Sequence, residues 1–130
     1  MAAPNIVNVA TISGKTSALT PAGTTAVVLL RNPASSNMVL KVNILIAANT
    51  TGTNATTTVS YYTNGGVAQG SAPSGGTAFP IASGIVVPTT ASLIVMDKST
   101  SIYLEENTSI IVTSGTASAI AYTVSYEELS

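Results

Sequence analysis

Met38-Val39-Leu40-Lys41-Val42-Asn43-Ile44-Leu45-Ile46-Ala47-Ala48 is the most regular stretch of the chain. Read with the two-residue period of a strand, Met38, Leu40, Val42, Ile44 and Ile46 fall on one face. Val39, Lys41, Asn43 and Leu45 fall on the other. The first face is wholly apolar and is the expected core face, whereas the second carries a cation and an amide. One buried and one mixed face is the mark of a half-buried antiparallel strand. The final third of the chain repeats the pattern: Ile120, Tyr122, Val124 and Tyr126 share one face, and Ala119, Ala121, Thr123 and Ser125 the other. Leu40, Val42, Ile44, Ile46 and Val95 are the expected core.

Outward from these two segments, turn signals recur about every 8–14 residues. Between them lie ten β-rich runs: Asn5–Ser13, Thr24–Arg31, Met38–Ala48, Ala55–Tyr62, Thr77–Ile81, Ile85–Val87, Ser92–Asp97, Ser101–Leu104, Ser109–Ser114 and Ser118–Glu127. No window shows helical periodicity over three turns. Asn32-Pro33 stops a strand, because proline cannot donate to a ladder. Residues 63–76, with five glycines and no charge, predict a long loop. Residues 1–130 read as one all-β domain, a single antiparallel β-sandwich of jelly-roll type with a few short extra strands.

Composition narrows the function. Val, Ile and Thr make up about a third of the chain, and these β-branched residues suit a pleated surface. Charged residues number nine: Lys15, Arg31, Lys41, Lys98, Asp97, Glu105, Glu106, Glu127 and Glu128. They are 7% of the chain, against roughly 25% in an average soluble domain. Without Cys there is no disulfide, zinc-thiolate or iron–sulfur site, and without His the commonest general base and metal ligand are absent. Four cations cannot make the basic stripe that nucleic acid needs. The longest apolar runs, Ala26–Leu30 and Ile44–Ala48, are far short of a membrane-spanning helix. Met1–Asn5 carries no basic or apolar leader pattern, so no secretory signal is expected. So few charges cannot solvate a whole monomer surface, and self-association is expected.

Candidate chemistry is sparse. Glu105-Glu106 and Glu127-Glu128 are adjacent, and neighbours on a strand point to opposite faces, so neither doublet makes an acid–base dyad. Asp97, Glu105, Glu106 and Asn107 supply oxygens for a weak calcium site but match no calcium-binding loop, and solvated charge is the expected role. The glycine segment contains no Gly-x-x-x-x-Gly-Lys pattern and is followed by a strand, so it is no phosphate cradle. The serines and threonines have no base beyond three lysines. Asn49, Asn54 and Asn107 stand in glycosylation sequons that are expected to be chance matches. No enzyme activity, catalytic residue, cofactor or metal site is therefore assigned. Of the tyrosines, Tyr61 and Tyr122 are expected in the core. Tyr62, Tyr103 and Tyr126 are expected at an interface, where an apolar body with a polar tip is favoured. The N-terminal residues Ala2, Ala3, Pro4, Asn5, Ile6 and Val7 are expected to join them.

Three segments carry a resemblance. Ala3-Pro4-Asn5-Ile6-Val7-Asn8-Val9 followed by Ile12-Ser13-Gly14-Lys15-Thr16 is similar to the start of small virion proteins of tailed marine bacteriophages. So is Ile85-Val86-Val87-Pro88-Thr89-Thr90-Ala91-Ser92-Leu93-Ile94-Val95, continuing through Lys98 to Ser101-Ile102-Tyr103-Leu104-Glu105-Glu106-Asn107-Thr108-Ser109-Ile110. The ending Val124-Ser125-Tyr126-Glu127-Glu128 is the third. In those proteins Gly-Asp usually follows the first Glu-Glu, where Asn107-Thr108 stands here, and loop 63–76 is longer than is typical. The resemblance implies a β-rich virion component, a capsid decoration or cement protein on the head surface, with no catalytic residue. Its expected partners are the major capsid protein and copies of itself, as a homotrimer, with no nucleic acid and no membrane. A tail fibre or adaptor protein, or a carbohydrate- or receptor-binding β-module using Tyr61, Tyr62 and Tyr103, is the alternative.

Overall fold

The computed structural model describes residues 8–130. Among these residues nine strands form two antiparallel sheets packed face to face, the sandwich that the alternating pattern predicts. The strands are β1 (Ile12–Leu19), β2 (Val27–Asn32), β3 (Val39–Asn49), β4 (Ala55–Tyr62), β5 (Ala78–Val87), β6 (Ser92–Met96), β7 (Ile102–Leu104), β8 (Thr108–Ser114) and β9 (Ile120–Leu129). The first sheet runs β1-β9-β3-β6, with β7 also paired to β3; the second runs β2-β8-β4-β5. A 3-10 turn, Lys98–Thr100, separates β6 from β7.

The pairing is nested. β1 pairs β9, β2 pairs β8, β3 pairs β6 and β7, and β4 pairs β5. The chain therefore runs out and returns beside itself like one long hairpin, and the β3·β9 and β4·β8 ladders roll it into two layers.

Three buried polar groups tie the layers together. Tyr122 on β9 crosses the core, where its hydroxyl donates to the Thr113 carbonyl at 3.0 Å and bonds the Thr57 hydroxyl. Burial is the main cause that raises its phenol pKa. Asn32, at the end of β2, donates from Nδ2 to the carbonyls of Met38 at 2.9 Å and Leu104 at 3.0 Å. Asn49, at the end of β3, donates from Nδ2 to those of Thr53 at 2.8 Å and Val87 at 3.0 Å. A buried amide stripped of such partners would cost about 1–3 kcal/mol, so each of these side chains fixes how one end of the sandwich closes.

The strand that anchors the sequence reading keeps its position but changes face halfway along. Leu40 and Val42 are buried as expected, but Ile44 and Ile46 are only half-buried, and Leu45 and Ala47 take their place in the core. The cause is a bulge: Val42 pairs Tyr126 and Ile44 pairs Ser125, so Asn43 is an extra residue on β3. One extra residue reverses every side chain beyond it. The gain is that Leu45 and Ala47 meet the core while Asn43, freed from pairing, donates to Glu127. Val95 is half-buried and packs against the core from its rim. On β9, Ile120, Tyr122 and Val124 are buried and Tyr126 half-buried, on the face the alternation indicates.

Two boundaries also differ. Of the expected strand Asn5–Ser13, Asn5–Val7 lie outside the described residues; among those described the first strand begins at Ile12 and continues through Gly14–Leu19, which is held extended by an eight-residue ladder to β9. Thr77–Ile81 and Ile85–Val87 are one strand, β5. The break between them is Gly84, at φ +62°, a conformation that glycine adopts without penalty. Its amide donates to Thr58 Oγ1 at 3.0 Å.

The bulge sets an order of sensitivities. Leu45→Ala is expected to destabilise by about 2–5 kcal/mol, the usual range for a fully buried large-to-small change. Ile44→Ala is expected to cost about 1–1.5 kcal/mol, as only part of its surface is removed from water. Urea unfolding of the two variants measures this, and the reverse order would contradict the bulge.

Candidate binding surface

The folded chain scatters the acidic groups. Glu127 and Glu128 point to opposite sides of β9, as strand geometry requires. Glu127 Oε2 accepts from Asn43 Nδ2 at 3.1 Å. Glu128 Oε1 lies 2.9 Å from Lys15 Nζ, and this hydrogen bond, followed by its charge, raises the Lys15 pKa. Asp97 is committed to the 3-10 turn. It accepts from the Ser99 hydroxyl at 2.6 Å and amide at 2.9 Å, and with Thr100 these hold its carboxyl below its ordinary pKa. Glu105 and Glu106 lie in the connection from β7 to β8, where Asn107 Oδ1 accepts from the Gly65 amide at 3.1 Å. Among the described residues no three acidic side chains converge and no pocket is enclosed.

The expected interface residues separate. Ala2, Ala3, Pro4, Asn5, Ile6 and Val7 lie outside the described residues. Tyr103 is exposed, on the outer face of the first sheet beside Lys41. Tyr126 is half-buried against the core, and burial, then Glu128, raises its pKa. Tyr62 is buried, which corrects the expectation. It points outward from the second sheet, but there it packs with Val28 and Ile111 and its hydroxyl accepts from the Gly76 amide at 3.0 Å. Tyr61 leans on the main core from the sheet's other side. The three rings offered for a sugar site thus lie on three different surfaces.

What buries Tyr62 is loop 63–76. It carries no strand, yet it is fastened along its length. The Val28 amide donates to the Ser71 carbonyl at 2.9 Å and the Gly70 amide to the Val28 carbonyl at 2.8 Å, so the loop covers the free edge of β2. Val67 packs on the Val28, Tyr62 and Ile111 cluster. Gln69 Nε2 reaches Ser17 Oγ at 2.7 Å, and Asn64 Nδ2 staples the loop by donating to the Ser74 carbonyl at 2.7 Å. At its base, a Cβ on Gly65 would lie 2.2 Å from the Asn32 carbonyl oxygen, so only glycine fits.

The opposite side of the sandwich is open. There the two sheets end in β5 on one layer and β6 and β7 on the other. Phe79, Ile81, Ile85 and Val86 on β5, Ile94 on β6 and Tyr103 on β7 are each 40–59% exposed. A signal for this side was present in the sequence: Val42 to Met96 is a run of 55 residues without one charge. It folds into the outer part of β3, then β4, the covering loop, β5 and β6.

The same neutrality extends over one end of the sandwich. The turns there, 20–26, 50–54, 88–91 and 115–119, hold only Ala, Asn, Gly, Pro, Ser and Thr. They are bonded into a plate. The Thr50 amide donates to the Ala119 carbonyl at 2.9 Å, the Ser118 amide to that of Pro21 at 3.0 Å, and Thr89 Oγ1 to that of Thr51 at 2.8 Å. The charges gather in the other half, where Lys41 faces Glu127 across the β3·β9 ladder and Lys15 meets Glu128. The molecule is therefore polarised into a charged half and a neutral half.

Comparison of the chain with protein-family models, with curated proteins and with solved structures gave no match.

Loop 63–76 reads in the sequence only as a long loop, and its contacts make it a structural cover. Deleting Gly66–Ser74 is expected to lower stability by about 2–4 kcal/mol, because Val28, Tyr62 and Ile111 lose their cover and β2 two hydrogen bonds. Chemical denaturation measures this, and wild-type stability in the deletion would contradict the covering role.

Proposed function

We propose that the chain is a structural protein of a phage virion, a capsid decoration or cement protein that stabilises the head shell. The observation that carries this reading is the polarised surface: β5, most of β6 and one end of the sandwich bear no charge, and β5 and β6 expose large apolar side chains there. A solitary protein keeps itself apart from its neighbours with surface charge. A protein set side by side in many copies on a shell gains from its absence.

The resemblance of the first, middle and last segments to small virion proteins supports the same reading. We read the nested strand pairing as a jelly roll, an arrangement that viral capsid domains use. Attachment would rest on many neutral contacts to the major capsid protein and to other copies. Each contact would bury apolar area worth roughly 25 cal/mol per Å². Shell symmetry then multiplies the contacts and raises the effective concentration of each one. A homotrimer suits this placement, since a closed three-membered ring matches the threefold positions of a shell.

A carbohydrate-binding module is less well supported by the geometry, because Tyr61, Tyr62 and Tyr103 do not gather around one cleft. A tail fibre or adaptor protein shares the fold requirement and differs in number. Quantitative mass spectrometry of purified particles separates the two. A decoration protein is expected on the order of hundreds of copies per particle, set by the symmetry of the shell, whereas about six to eighteen copies would indicate the tail. Absence from particles, with binding to a glycan array, would overturn the virion reading.

A further inference from the structure

We infer that Asn64-Gly65 is a spontaneous modification site, held unreactive by the fold through Asn107, and that its conversion to aspartate or isoaspartate unfastens loop 63–76. The inference is independent of the virion reading and concerns the free protein.

The chemistry starts from the sequence. Of the nine asparagines, only Asn64 stands directly before a glycine. Ring closure at such a pair joins the Gly65 backbone nitrogen to Asn64 Cγ and breaks the bond from Cγ to Nδ2. The Gly65 amide proton passes to water or hydroxide, and Nδ2 takes up a proton and leaves as ammonia. Water then opens the cyclic imide at either carbonyl, which leaves aspartate or isoaspartate at position 64. The reaction consumes only water. A side chain on the following residue obstructs the attack, and glycine has none.

The fold makes that glycine obligatory. A Cβ at position 65 would lie 2.2 Å from the Asn32 carbonyl oxygen and 2.8 Å from that of Thr108. Asn32 and Thr108 are partners at the paired ends of β2 and β8, and the loop backbone runs directly against them. The close approach that seats the loop therefore also strips Asn64 of the steric shield that any other neighbour would give it.

Hydrogen bonds supply the protection instead. The attacking nitrogen is engaged: the Gly65 amide donates to Asn107 Oδ1 at 3.1 Å, which holds the proton that must leave. The target is engaged at both ends. Asn64 Oδ1 accepts from the Gly66 amide at 2.9 Å, and Nδ2 donates to the Ser74 carbonyl at 2.7 Å. The peptide between them is pinned as well, because the Asn64 carbonyl accepts from Ser109 Oγ at 2.8 Å. Gly65 is buried and Asn64 half-buried. Ring closure must wait until these bonds open together, and its rate falls by the fraction of time that the site is closed.

Conversion undoes the staple. A carboxylate oxygen replaces the Nδ2 donor and faces the Ser74 carbonyl, acceptor against acceptor. Isoaspartate also lengthens the backbone by a methylene beside Gly65, where no room is left. Between residues 64 and 74 lie the Gly70 amide and Ser71 carbonyl that bond Val28, and the Val67 side chain that covers Tyr62. Either product thus loosens the cover of the β2 edge. It also places the first charge in the stretch from Val42 to Met96.

The test follows conversion at position 64 by isoelectric focusing and peptide mapping in warm, mildly alkaline buffer. In the folded wild-type protein it is expected to be at least about tenfold slower than in the same chain unfolded in guanidinium chloride, because reaction waits on opening. Asn107 sits at φ +62°, which glycine adopts freely, so Asn107→Gly keeps the turn and removes the acceptor. That variant is expected to convert several-fold faster than wild type while folded. Asn107→Asp keeps an acceptor and is expected to restore the slow rate. Circular dichroism of each variant checks folding. Converted wild-type protein, separated by its added charge, is expected to exchange the Val28 amide faster, with β9 unchanged. Conversion in the fold as fast as in the unfolded chain, no conversion in either, or a converted protein that keeps Val28 protected would overturn the inference. An Asn107→Gly protein that converts like wild type, or an Asn107→Asp protein that converts as fast as Asn107→Gly, would overturn the part assigned to Asn107.

Discussion

A two-sheet sandwich has four exposed edges, and each edge strand carries a row of backbone groups with no partner inside its own sheet. Proteins usually guard such edges with lysine or other charges. This chain has nine charges in all and must guard its edges by other means. β1 carries Lys15, tied to Glu128. β2 is covered by loop 63–76 through the Val28 amide and carbonyl. β6 and β7 are short and separated by the 3-10 turn that Asp97 caps. β5 is ten residues long, apolar and uncovered, and is broken only by Pro80 and two irregularities. The β2 edge is closed within the chain, and the β5 edge is a long apolar one left for another molecule.

The same shortage explains how the interior is held. With few ion pairs available, orientation of the two sheets falls to neutral groups: Tyr122 across the middle, Asn32 at one end and Asn49 at the other. Hydrogen bonds from buried amides and phenols are directional, and each of these joins both layers. The Asn49 amide nitrogen is used twice over in this way, which leaves its glycosylation sequon buried in structural work. Neutral ties inside and neutral turns outside are one strategy, and it leaves the surface free of the charge that keeps copies apart.

Much of this was legible in the sequence. Alternation in β3 and β9 identified a sandwich strand and the buried face of Ile120, Tyr122 and Val124. The spacing of turn residues indicated an all-β domain. What misled was local reading of non-local effects. The bulge at Asn43 leaves no mark on the alternation, because both faces of that stretch are apolar beyond it, and either register looks plausible from Ile44 to Ala48. Gly84 looked like a break because a positive φ in a strand resembles a turn. Gly14-Lys15-Thr16-Ser17 has weak strand propensity and is extended only because β9 lies alongside it. Tyr62 pointed outward as the alternation said, and its burial depends on a loop that folds over it. The 55-residue charge-free run was plain to see, but its meaning appears only when folding brings it to one side and one end of the sandwich.

The central claim is that the uncharged β5 side is a protein-contact surface rather than a solvent face. Amide hydrogen exchange over Ala78–Val87, compared between dilute and concentrated protein, tests it most directly. The expected result is protection of this strand that rises with concentration, with the covered β2 edge at Val28 protected equally in both. Exchange in β5 that is fast and independent of concentration would contradict the account.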